Sequence, residues 1–174
     1  MTDPNFIYHP RRGDEVLRAA PRGTKIYLYS DLCRDPRSAR DIVLSLGRNS
    51  LILVQDPDNM KTGHWTSLSI HPERKEIYFF SSYGGMPDKE KIQWVRRSKL
   101  IRSGQIRNVL NDGLKALAME GWVIHYNDYP YQHVGDRTAT CGIWATAFMN
   151  SRKNPDEFEN SHRPIADYFE QYYM

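Results

Sequence analysis

Residues 65–80 carry the pattern that most restricts the fold of this chain. Trp65, Ser67 and Ser69 alternate with Thr66, Leu68 and Ile70, the period of two that sends successive side chains to opposite faces of a strand. His71-Pro72-Glu73-Arg74-Lys75 then turns the chain, and Ile77-Tyr78-Phe79-Phe80 brings it back. Two β-rich runs joined by about five polar residues predict an antiparallel hairpin. Lys25-Ile26-Tyr27-Leu28-Tyr29 reads as a short strand. Residues 50–55 read as a buried strand, closed by the turn Asp56-Pro57-Asp58-Asn59. Residues 38–46 set apolar side chains at 39, 42, 43 and 46, a helical spacing that Gly47 ends. Gly84-Gly85 breaks the chain, and 88–118 predict one or two helices with Ser103-Gly104 between them. Residues 122–126 read as a strand, and 141–149 and 164–173 as helices. Helices and strands mixed in this order predict an α+β fold, with a mixed central β-sheet packed on helices.

A chain of 174 residues without repeats or a dividing linker predicts one domain, 1–174, with a sizeable core. The polar residues 1–23 predict a loosely packed N-terminal segment. Apolar runs such as Leu51-Ile52-Leu53-Val54 are too short to span a membrane, and Met1-Thr2-Asp3-Pro4-Asn5 lacks the order of a secretory signal. Two cysteines, Cys33 and Cys141, cannot build a disulfide framework. They predict an intracellular, reducing compartment, where a thiol is a small core residue or a reactive one. A net charge of +3 is too weak to argue nucleic-acid binding. The basic run Arg96, Arg97, Lys99, Arg102 and Arg107 reads first as a solvated helix face and second as a polyanion site.

Cys141 opens an apolar run with no acid in its first turn, Cys141-Gly142-Ile143-Trp144. A thiol at a helix N-terminus meets unpaired N–H groups and the positive dipole end, which predicts a lowered pKa. Gly142 leaves the backbone open to a substrate carbonyl. His64, between Gly63 and Trp65 at the start of a strand, can take the thiol proton. Gln132, in the loop before Cys141, can offer an amide N–H to an oxyanion. Cys33 has no such setting and reads as a structural thiol. No histidine or cysteine spacing fits a metal, and no cofactor is expected.

The order His-Trp, hairpin return, Gln, Cys-Gly resembles the cysteine proteases typified by the adenovirus protease and the SUMO-specific proteases. It also resembles the processing proteases of large DNA viruses, virophages and Maverick-type elements. Gly63-His64-Trp65, residues 78–84, Gln132 and Cys141-Gly142 carry the likeness, over about residues 50–150. The resemblance implies a papain-like half with the nucleophile on a central helix. Cys141 would be nucleophile, His64 base and then acid, and Gln132 an oxyanion donor. Trp65, Gly142 and Trp144 would lie at the substrate cleft. It implies a monomer that cuts a protein or polyprotein after Gly-Gly or Gly-X, with a polyanion or peptide as activator. Ser81 stands where the family carries Asp, Glu or Asn, and the interval from Gln132 to Cys141 is longer than usual, with Gly135-Asp136 as the extra turn. Asp128 and Asp136 are the other acids within reach in sequence. A SUMO or ubiquitin-like protease, a non-catalytic binder and an acyltransferase on the same scaffold are the alternatives. The compact length favours the viral or mobile-element type.

Overall fold

Five strands, β1 (Lys25–Leu28), β2 (Asn49–Asp56), β3 (Asn59–His71), β4 (Glu76–Ser81) and β5 (Val123–Tyr126), lie side by side in that order in one mixed sheet. They belong to a computed structural model that describes residues 12–132 and 140–173. β2, β3 and β4 form an antiparallel meander. The predicted hairpin is its second half, with Thr66 opposite Ser81 and His71 opposite Glu76. β3 extends further back than predicted, because residues 59–64 pair with β2 across the turn at Pro57-Asp58.

The two outer pairs, β1 with β2 and β4 with β5, run parallel, and parallel neighbours need a crossover. The first crossover contains α2 (Tyr29–Arg34) and α3 (Ala39–Ser45). Ser38 caps α3 by accepting from the Asp41 N–H. The second contains α4 (Lys89–Trp94), α5 (Arg97–Arg102) and α6 (Val109–Met119). These are three helices where one or two were expected. The extended backbone of Val95 and the left-handed Gly104 interrupt the run.

The sheet separates two apolar layers. On one face Ile52, Val54, Leu68, Ile70, Ile77 and Phe79 meet α2, α3 and α6. On the other, Leu51, Leu53, Trp65 and Phe80 meet α1 (Gly13–Ala19), α7 (Cys141–Ser151) and α8 (Pro155–Tyr173). With both faces covered, Thr66 and Ser67 are buried like their apolar neighbours. Within the N-terminal segment, residues 12–23 are mostly exposed but include a short helix. α1 is a formed helix, and Val16 anchors it in the layer that α7 fills. A mostly polar stretch concealed that one apolar anchor. Residues 1–11 lie outside the described residues.

Gly113 sets how closely α6 approaches α3. A Cβ there would fall 2.5 Å from the Ala39 carbonyl oxygen and 2.5 Å from Val43 Cγ2. Gly113→Ala is therefore expected to destabilise the fold by about 1–3 kcal/mol, despite the better helix propensity of alanine. Urea unfolding checks this; a stabilised variant would mean the two helices can part freely.

Candidate active site

α7 begins at Cys141, after an N-cap, Thr140, that makes no side-chain cap. Backbone N–H groups of Trp65, Gly142 and Cys141 favour the thiolate. β4 pairs with β3 only from Thr66 onward, so at His64 and Trp65 that edge of β3 has no β4 neighbour. α7 packs against β3. The expected lowering of the thiol pKa is not found. Cys141 as a residue is half-buried, but its sulfur is enclosed. Desolvation pushes the thiol above its ordinary range, and the three N–H donors offset this only in part.

His64 is 1% exposed. A Cβ on the preceding Gly63 would lie 2.0 Å from the Val54 carbonyl oxygen, so only glycine lets β3 run so close to β2 here. The imidazole stacks on Tyr83, with centroids 4.0 Å apart and planes 13° apart, and Trp94 meets it edge-on. Its Nε2 lies 2.9 Å from Ser81 Oγ. Its Nδ1 is buried without a hydrogen-bond partner among the described residues. Ser81 Oγ therefore takes up Nε2, and Nδ1 is the ring nitrogen left open among the described residues. Burial alone drives the imidazole pKa down to about 3, so the imidazole is neutral at ordinary pH.

Ser81 and Gln132 are fixed by one hydrogen-bonded unit. Asn127 accepts from the Ser81 N–H at 3.1 Å and donates to the Ser81 carbonyl at 2.6 Å. The Tyr83 N–H donates to Ser81 Oγ at 3.3 Å. Gln132 is buried; its N–H donates to the Ser82 carbonyl, and its Oε1 accepts from Ser82 Oγ at 3.0 Å. The NH₂ end of the Gln132 carboxamide is thereby turned away from Ser82. Ser82, Tyr83 and Asn127 escaped the sequence reading. The signals were the hydroxyl pair Ser81-Ser82 at the exit of β4 and the asparagine just after β5.

The expected cleft residues divide. Trp65 and Trp144 are 3% and 6% exposed and fill the core on the α7 face. Trp144, Ala145, Phe148 and Met149 share the buried stripe of α7. Gly142, with Ile143 and Thr146, borders an open cavity of about 550 Å³ whose other wall is α1. Asp128 is exposed, and Asp136 lies outside the described residues. Of the basic run, Lys99 pairs with Asp58 at 2.6 Å, and Arg107 turns inward to the carbonyls of Asp35 and Arg37. Among the described residues no helix is long and apolar enough to cross a membrane, and no three side chains cluster as metal ligands. The chain matches no protein-family model and no curated protein.

Cys33 donates its S–H to the Arg107 carbonyl, and burial pushes its thiol to about 11. Cys33→Ala is expected to leave any activity within about twofold. A loss comparable to that of Cys141→Ala, in the same peptide assay, would reassign the nucleophile.

Proposed function

We propose that this chain is a cysteine endopeptidase of the viral or mobile-element processing type, cutting a protein or polyprotein after small residues such as Gly-Gly or Gly-X. The observation that carries this reading is the packing of α7, which Cys141 opens, against β3, which holds His64. The adenain-like order of motifs supports it, as does the position of Ser81 on His64 Nε2.

In this reading the Cys141 S–H gives its proton to His64 Nδ1 as sulfur attacks the scissile carbonyl. The Cys141 N–H and the Gln132 amide hold the oxyanion. The tetrahedral adduct collapses to a thioester, and His64 returns the proton to the leaving amine. A water, deprotonated by His64, then attacks the thioester; the acid product leaves and the thiol is restored. Ser81 orients the imidazole but brings no negative charge to stabilise imidazolium.

That missing charge favours a second reading, a non-catalytic module of the same fold that holds a glycine-tailed protein. Incubation with a Gly-Gly vinyl-sulfone peptide, read by mass spectrometry, separates the two. The endopeptidase gives one adduct, on Cys141, that His64→Ala loses. If a generic alkylator labels Cys141 no faster than Cys33, the thiol is not activated and the binder stands. Within the endopeptidase reading, Ser81→Ala is expected to cost about tenfold in kcat and His64→Ala about 10³-fold or more. Equal losses would make Ser81 a full third member of the site.

A further inference from the structure

Five cationic side chains, Arg22, Arg48, Arg74, Arg152 and Lys153, line a cavity of about 550 Å³ in which Glu73 is the one carboxylate. Five cations against one carboxylate is a larger excess than the +3 of the whole chain. The residues come from separate parts of the fold. Arg22 precedes β1, Arg48 precedes β2, Arg74 sits in the β3–β4 turn, and Arg152 and Lys153 follow α7. The negative end of the α7 dipole accounts for the last two; it does not account for the other three.

The carboxylates nearby do not neutralise the group. Arg48 lies 3.2 Å from Glu73, and Arg74 lies 2.8 Å from Glu76 and 3.7 Å from Glu73. Arg22, Arg152 and Lys153 have no carboxylate partner among the described residues. His71 also lines the cavity, and its Nε2 is buried without a hydrogen-bond partner among the described residues. Its imidazole is pushed below the ordinary range, first by burial and then by the charges of Arg74 and Arg48. Phe148 and Met149 contribute the apolar side of the cavity.

We propose that this cavity binds a compact, multiply charged phosphate ester or polyphosphate. Guanidinium groups present paired donors that match phosphate oxygens. Cations converging from four chain segments on one volume call for several negative charges in a small body, which a single carboxylate cannot supply. The volume is that of a small-molecule pocket, whereas an extended nucleic acid would follow a stripe of charge. The cavity lies at the opposite end of α7 from Cys141, about 16 Å of helix away, so binding there needs no thiol chemistry.

Isothermal titration calorimetry with inorganic tripolyphosphate tests the proposal. The wild-type chain is expected to bind one equivalent. The pair Arg22→Glu and Arg152→Glu, both exposed positions, is expected to weaken binding by about 30-fold or more. Arg34→Glu with Arg97→Glu makes the same charge change elsewhere and is expected to stay within about threefold. A milder pair, Arg22→Gln with Lys153→Gln, covers a misfolded first variant and is expected to weaken binding by about tenfold. No binding by the wild type at millimolar probe overturns the proposal. So does equal weakening by the remote pair, which would mean that net charge alone attracts the anion.

Discussion

Cys141→Ala is expected to take peptide hydrolysis to background, a fall of about 10⁴-fold or more. Among the described residues no other side chain beside Ser81 and Gln132 is placed to carry the acyl group. Ser81 and Ser82 are buried hydroxyls committed to His64, Gln132 and the backbone of Tyr83. Cys141→Ser is expected to be nearly as inactive. An alcohol is a far weaker acid than a thiol and gives up its proton to an imidazole much less readily. The fold is expected to survive in both variants. Removing the sulfur takes an acceptor from the N–H groups of Trp65, Gly142 and Cys141, at a cost of about 1–2 kcal/mol. Hydrolysis of a glycine-rich fluorogenic peptide, with circular dichroism on the same samples, separates lost chemistry from lost structure. Activity retained by folded Cys141→Ala would end the nucleophile assignment.

The parts of the chain governed by local rules were legible in its sequence. The alternation at 65–70 and its return at 77–80 are properties of strands as such, and the meander follows from them. Ser38 and Gly47 bracket α3 because capping and the left-handed stop are local as well. Residues 88–118 were harder, because three separate helices, with Leu100 anchoring α5 and Leu110 and Leu114 anchoring α6, leave no long periodicity to read. In the site, Cys141, His64, Ser81 and Gln132 are named by residue type and order. What positions them is tertiary. Asn127 clamps the Ser81 backbone from 46 residues away, and Ser82 orients Gln132 across 50. The sign of the thiol shift was missed for the same reason. The helix N-terminus is visible in sequence, whereas the burial that outweighs it depends on tertiary packing.

Acid should destabilise this fold well above the pH at which carboxylates titrate, and His64 is the reason. In the folded chain its pKa is about 3, against about 6.5 for an unfolded histidine. Between these values the unfolded chain binds a proton that the native one refuses. The stability His64 contributes is complete above about pH 6.5 and is lost as pH falls toward 3, with a slope approaching about 1.4 kcal/mol per pH unit. His71 is shifted in the same direction and adds to the fall. The lowered carboxylates, Asp35, Asp58, Glu73, Glu76 and Glu120, act the same way but only below the unfolded carboxylate range. The buried Asp88, whose carboxyl is raised by desolvation, acts in the opposite sense, so the histidine share is read as a difference between variants. Urea midpoints for wild type and His64→Gln between about pH 6.5 and 5 isolate the His64 share, because glutamine can still bond Ser81 but does not titrate. The wild type should fall more steeply, with the two curves converging toward pH 4. Parallel curves would mean that native His64 is already protonated, as in a thiolate–imidazolium pair with Cys141. Iodoacetamide would then react with Cys141 as fast at pH 5 as at pH 7. A neutral thiol instead requires an alkylation rate that climbs with pH through 9, because the enclosed thiol ionises late.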